Sequence, residues 1–161
     1  MISTEQYNNA VDKFADNLYR FALKLAKNID DAEDLVQDAF EKLWKNRKKV
    51  DNKKIKSYLF TIVYHKFIDN YRKNKQYFSI EEINTELSYT NDYSDLKEIL
   101  NKAIDLLPAQ QKTVIILRDW EGYSYKEIQD ITNLTESQVK VYIFRARKFL
   151  RQYIGNPKIL I

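Results

Sequence analysis

The chain has no cysteine, two glycines, two prolines and one histidine, His65, in 161 residues. Without cysteine there can be no disulfide framework and no thiolate-ligated zinc site. One histidine excludes a multi-histidine metal cluster, so no metal ligands and no cofactor are assigned. Gly-rich phosphate loops, nucleophile motifs and paired histidines are also missing, so no catalytic residues are assigned and the chain is not read as an enzyme. No apolar run approaches the ~20 residues that span a bilayer, and no signal-peptide pattern opens the sequence. A cytoplasmic location is the expectation. Scarce glycine and proline, with abundant Lys, Glu, Asn, Leu and Ile, point to an all-helical fold.

The net charge is only +4, but it is unevenly spread. Lys42 to Lys56 carries eight basic residues and one acid, Asp51. From Gln76 to Leu96 there is no Lys or Arg, only the acids Glu81, Glu82, Glu86, Asp92 and Asp95. The C-terminal segment turns basic again. Two basic blocks flanking an acidic joint suit either a solvated surface or nucleic-acid contact.

Apolar periodicity places the helices. Phe14, Leu18, Phe21 and Leu25 predict a helix over 5–27. Asn28-Ile29 interrupts it, and the Asp30–Glu33 pair has capping-box spacing for a second helix to about Trp44. That helix buries Leu35, Val36, Ala39, Phe40 and Leu43, and turns Asp34, Gln37, Asp38 and Glu41 the other way. Such an acidic and amide face is either plain solvated surface or a docking face for a basic partner. Lys45 to Lys56 reads as a loop. The helix over 57–73 is apolar around most of its circumference, through Phe60, Val63, Tyr64, Phe67 and Tyr71. A narrow polar stripe of Tyr58, Thr61, His65, Asp69 and Arg72 remains, so this helix belongs inside a small bundle. Residues 1–75 form one expected domain. Residues 76–94 read as an acidic linker with at most a helical turn near Ile80–Ile83. Residues 95–155 form a second domain with helices at about 95–106, 109–119, 125–132 and 136–154, and a frayed tail after Gly155.

The strongest local signal lies in this second domain. Ser124/Glu127 and Thr135/Gln138 are two capping boxes eleven residues apart, separated by a turn at Asn133-Leu134. This is helix-turn-helix spacing. In the second helix Val139, Ile143, Ala146 and Leu150 share the inward stripe. Ser137, Val141, Phe144, Arg145 and Lys148 face outward. Two apolar side chains among cations on a solvent face are either scattered surface residues or contacts for base methyls in a major groove.

Three segments together resemble extracytoplasmic-function (ECF) sigma factors of the sigma-70 family, Bacteroidetes-type members among them. DDAEDLVQDAFEKLW (30–44) is similar to the family's polymerase-docking helix of region two. SYLFTIVYHKFIDNYRK (57–73) is similar to its promoter-melting helix. LPAQQKTVIILRDWEGYSYKEIQDI with VKVYIFRARKFL is similar to region four. The likeness runs from about residue 7 to 153. The chain departs from the family at Tyr58, where Trp is frequent, and at Val63-Tyr64-His65, where Ala-Arg-Asn is frequent. It departs again at Gln129, Ser137 and Tyr142 of the helix-turn-helix.

The resemblance implies a protein that binds core RNA polymerase, reads the −10 and −35 elements of a promoter and assists melting. It assigns polymerase binding to Asp34, Gln37, Asp38 and Glu41. It assigns the −10 element to Tyr58, His65 and Arg72, with Lys53, Lys54 and Lys56 of the adjoining loop; aromatic and cationic groups suit unstacked single strands. It assigns the −35 element to Arg118, Tyr125, Lys126, Ser137, Gln138, Lys140, Val141, Phe144, Arg145 and Lys148. Arg145 suits a bidentate guanine contact, whereas Lys148 and Arg151 suit phosphates. Arg147 falls nearer the core side. The acidic linker fits a nucleic-acid channel by charge mimicry, or a simple tether. Promoter DNA, core polymerase and an anti-sigma factor are the implied partners, with no small-molecule substrate and no membrane insertion. Two rival readings are a dimeric helix-turn-helix regulator and a helical interaction module without a DNA role. The acidic helix 30–44 counts against the first, and the basic recognition helix against the second.

Overall fold

A computed structural model describes residues 1–74 and 93–155. The acidic segment 76–92, the expected turn at Ile80–Ile83 and the tail 156–161 lie outside the described residues. Within them the chain is helical and has no strand: α1 (Thr4–Ala26), α2 (Ile29–Lys45), α3 (Ile55–Asn74), α4 (Tyr93–Asp105), α5 (Ala109–Ile115), α6 (Tyr125–Thr132) and α7 (Glu136–Ile154). No described helix is long and apolar enough to cross a membrane.

Local chemistry sets the helix ends. Ser3 and Gln6 form a reciprocal capping box at the start of α1. Lys27 then turns left-handed at φ 60°, which stops the helix. Asn28, not the expected Asp30–Glu33 box, caps α2: its Oδ1 accepts from the amides of Asp30 and Asp31 at 2.8 and 3.2 Å. An Asn two residues ahead of the acids reaches both orphan amides, so α2 begins at Ile29. The lysine-rich loop is shorter than expected. Asp51 caps a 3-10 turn, Asn52–Lys54, that runs straight into α3. Val50 and Ile55 are buried and hold this loop on the core. The N-terminus is tied down as well, because Ile2 is buried and its amide donates to the Arg47 carbonyl at 2.8 Å.

Both capping boxes of the helix-turn-helix form. Ser124 accepts from Glu127 N, and Thr135 from Gln138 N, each with the reciprocal bond made. Asn133 takes φ 62° in the turn between them, a left-handed conformation Asn tolerates better than most residues. Pro108 is the N-cap of α5. The helix expected to run to 119 changes pitch into a π-helical turn, Ile116–Trp120, before Gly122 at φ 73° releases the chain.

Helices α1, α2 and α3 pack on one another, and α7 gathers α4, α5 and α6. The two bundles also touch. α3 packs against α6 and α5 on one side and against α1 and α2 on the other. Phe60 is the junction: its ring lies 5.0 Å from Phe21 of α1 and 5.3 Å from Tyr123, which precedes α6. The apolar circumference of α3 is therefore shared between two bundles rather than absorbed by one. Tyr71, expected inside, is exposed, and Phe67 beside it is half-buried.

Candidate nucleic-acid interface

The Thr135 cap fixes where α7 starts, and the buried stripe Val139, Ile143, Ala146 and Leu150 fixes its rotation. Ser137, Gln138, Lys140, Val141, Phe144, Arg145 and Lys148 are consequently all exposed. Val141 is 42% and Phe144 61% exposed, unusual for side chains that lose most when left in water. Lys140 is bonded to Glu136 at 2.8 Å, a contact that raises its ammonium above the usual lysine range. That cation is partly neutralised within the helix, whereas among the described residues neither Arg145 nor Lys148 forms an ion pair.

The first helix of the motif approaches the same face. Tyr125 is half-buried and Lys126 is exposed. The guanidinium of Arg118 lies 4.7 Å above the Tyr125 ring and donates to the Tyr123 carbonyl at 2.9 Å. The half-buried Arg118 thus pins the approach to α6. Arg147, placed near the core by helical phase, is exposed and grips Asp119 with two bonds, 2.7 and 3.3 Å long. Asp119 was not picked out from the sequence. It lies 28 residues away, and only the π-helical turn brings it to α7. An open groove of about 530 Å³ runs here between Tyr125, Phe144 and the cations Lys140, Arg147 and Arg151.

The second group of candidates lies on α3 and the loop before it. His65, Asp69 and Arg72 are exposed along one stripe, with Tyr58 and Thr61 half-buried at its start. Asn46 donates to the Tyr58 hydroxyl at 3.0 Å, so that ring is fixed in direction by the preceding loop. Lys53 and Lys54 are exposed on the 3-10 turn. Lys56 points elsewhere: its ammonium sits 4.7 Å over the ring of Tyr123, in the other bundle. Among the described residues no cluster of His, Asp and Glu with metal-binding geometry occurs.

On α2, Asp34, Gln37 and Glu41 are exposed, and Asp38 is half-buried, opposite the buried Ala32, Leu35, Ala39 and Leu43. Lys45 bonds Glu41 at 2.8 Å and holds its carboxyl below the ordinary range. Asp38 forms an ion pair with Lys66 of α3. The face is therefore acidic at its Asp34 end and partly neutralised toward Glu41. Trp44, at the rim of this face, is 37% exposed and carries the Arg47 guanidinium 4.0 Å from its ring; neither residue was singled out by sequence pattern.

Comparison with known proteins agrees with this layout. The family model described as Sigma-70 region 2 matches residues 10–77, and that described as Sigma-70, region 4 matches residues 97–150. RNA polymerase sigma factor SigV of Bacillus subtilis is 34% identical over 137 residues, covering 84% of this chain and 82% of that protein. ECF RNA polymerase sigma factor SigM of the same organism is 29% identical, covering 86% and 88%. Among solved structures, sigma factor RpoE in complex with the anti-sigma factor NepR from Bartonella quintana superposes with a TM-score of 0.75. It is 26% identical over 96% of this chain and 99% of that one. CnrH in complex with the cytosolic domain of CnrY shares the fold, with a TM-score of 0.70 at 22% identity.

Proposed function

The chain belongs to the sigma-70 family, in its extracytoplasmic-function group, and from that premise we propose how its surfaces divide the work. As an ECF sigma factor it binds core RNA polymerase, directs it to promoters through −10 and −35 elements and assists melting. Residues 1–75 dock on polymerase and open the −10 element; residues 95–155 read the −35 element; 76–94 joins them. Asp34, Gln37, Asp38 and Glu41 form the docking face. Tyr58, His65 and Arg72, with Lys53 and Lys54, hold the melted strand; Lys56, which lies over the Tyr123 ring, joins them only once it leaves that ring. Ser137, Gln138, Val141, Phe144 and Arg145 read base edges. Lys140, Lys148, Arg118, Tyr125 and Lys126 meet the sugar-phosphate backbone, which positions without specifying.

The observation that carries this reading is the outward face of α7. Val141 and Phe144 stand exposed on the same face as Arg145 and Lys148. An apolar pair flanked by cations has little value in water and a clear one against thymine methyls and guanine edges. RNA synthesis is the polymerase's chemistry, so the protein contributes binding rather than catalysis, and it works in the cytoplasm where polymerase works. An anti-sigma factor is its regulatory partner. A composition rich in Lys, Asn, Ile and Tyr is the bias of AT-rich coding sequence.

In vitro transcription tests the proposal. Purified protein is added to bacterial core polymerase on the DNA upstream of its own gene. Discrete transcripts that disappear with Asp34→Lys and with Arg145→Ala are the expected result. Absence of transcripts and of comigration with core polymerase would overturn it.

A further inference from the structure

The lysine-rich loop between α2 and α3 is tied across its base by one side-chain bond, which lands on a residue placed at the −10 element. Nδ2 of Asn46, the residue that ends α2, donates to the hydroxyl of Tyr58, in the first turn of α3, at 3.0 Å. The backbone of Asn46 is held on both sides. Its amide donates to the Lys42 carbonyl at 2.9 Å, and its carbonyl accepts from the Lys49 amide at 2.9 Å. Arg47 beside it is fixed as well: its carbonyl accepts from Ile2 N at 2.8 Å, and its guanidinium donates to the Trp44 carbonyl at 2.8 Å. Buried Val50 and Ile55 pin the rest of the loop. The exposed side chain of Asn46 is therefore presented from a platform whose backbone bonds are already made.

Tyr58 is held at both ends. Its ring is half-buried and packs against the core, and its hydroxyl is engaged by Asn46. A phenol hydroxyl has one proton to donate and lone pairs that accept. The Asn46 NH2 group only donates, so it occupies a lone pair and leaves the O–H proton as the group still to be placed. Accepting one bond also polarises a hydroxyl into a better donor. Unpaired bases carry acceptors that match it: N7 or O6 of guanine, N7 of adenine, O4 of thymine. Lys53 and Lys54, exposed on the 3-10 turn, supply charge that suits any strand. The Tyr58 hydroxyl has a direction, and a directed donor can prefer one base over another.

We propose that Asn46 is a positioning residue for the melted strand: it fixes the Tyr58 hydroxyl as a hydrogen-bond donor to an acceptor atom of one unpaired base in the −10 element. The inference rests on the reading of Tyr58 as a −10 residue. Ordering the ring before the strand arrives removes a cost that binding otherwise carries.

Open-complex formation tests this, with the full chain bound to bacterial core polymerase on the DNA upstream of its own gene. Permanganate reactivity of unpaired thymines gives the opening rate, and comigration with core polymerase gives docking. Asn46→Ala keeps the backbone bonds of the platform and should leave helical circular dichroism and comigration unchanged. Opening should slow by about threefold to tenfold, the worth of one neutral hydrogen bond. Tyr58→Phe should slow it as much, and combining the two substitutions should slow it no further, because both residues act through one bond. In a −10 substitution series the two single variants should relax base preference at the same position, whereas a merely structural loss would lower opening on every sequence alike. In the free chain, the side-chain amide resonance of Asn46 should shift on Tyr58→Phe. An unshifted resonance, losses that multiply, or Asn46→Ala opening as fast as the parent while Tyr58→Phe is slow would overturn the positioning role. Loss of comigration in Asn46→Ala would overturn it too, by placing Asn46 on the docking face. Were the resonance to shift while Tyr58→Ala opened the promoter at the parent rate, the assignment of Tyr58 to the −10 element would be the part that failed.

Discussion

Single side chains divide here between those that specify and those that position. Arg145 is exposed at the middle of the outward face of α7, where a guanidinium fork matches the two acceptors of guanine. Arg145→Ala should cost about 1–3 kcal/mol of discrimination at one −35 base pair, seen as relaxed preference at that position in a promoter substitution series. Lys148→Ala should instead weaken binding evenly across those sequences and lower the salt slope by about one, measured as holoenzyme affinity against salt. The outward placement of both side chains was legible because α7 keeps a strict helical period, and burial of Val139, Ile143, Ala146 and Leu150 leaves the other side chains one direction to point. Arg147 was not legible. Its phase points inward, yet the Asp119 carboxylate draws it out along the surface, and no local pattern encodes a partner 28 residues away.

At the level of elements, the helix-turn-helix depends on its caps more than on propensity. Thr135 Oγ1 accepts from Gln138 N at 3.2 Å, and Gln138 Oε1 accepts from Thr135 N at 2.9 Å. Thr135→Ala removes the first bond and should cost about 1 kcal/mol, lowering the melting temperature by roughly 2–4 °C for a chain of this size. Thermal circular dichroism checks this. Asn133→Gly should be neutral or better, because glycine takes φ 62° without strain, whereas Asn133→Val should destabilise by more than the cap variant. Every helix had been expected within a few residues. Two errors remain: Asn28 displaces Asp30 as a cap through bonds only two and three residues long, a local competition between two capping patterns, and buried Val50 and Ile55 draw the lysine-rich loop into α3.

Across the whole molecule, burial of Lys112 at the contact between the two bundles ties that contact to pH. Burial pushes the Lys112 ammonium down to about 8, against the favourable charge of Asp105 and alongside the unfavourable charge of Lys27. In the open form Lys112 meets water and returns to the ordinary lysine range, near 10.4. Below about pH 8 it is protonated in both forms, and closure does not vary with pH on its account. Between there and the ordinary lysine value the open form binds more protons, so rising pH favours closure, by up to about tenfold per unit. With dyes at Asp16→Cys on α1 and Asp130→Cys on α6, both exposed positions, the chain should therefore shift toward high energy transfer between pH 7.5 and 9.5. Lys112→Met, which has no ammonium to titrate, should lose that dependence.

The sequence alone determined the helices, the two caps of the helix-turn-helix, the inward stripe of α7 and the outward faces of α2 and α7, because each follows from side chains within a few residues of one another. It also marked α3 as apolar nearly all round, without saying what covers it. Only the tertiary structure decided that α5 and α6 cover it, that Lys112 lies on α1, and that Lys56 and Arg147 turn from open surface to partners in distant segments. Periodicity records which side of a helix avoids water. The identity of the surface that takes water's place depends on contacts between residues far apart in the chain, and their pairing is fixed only when the bundles close.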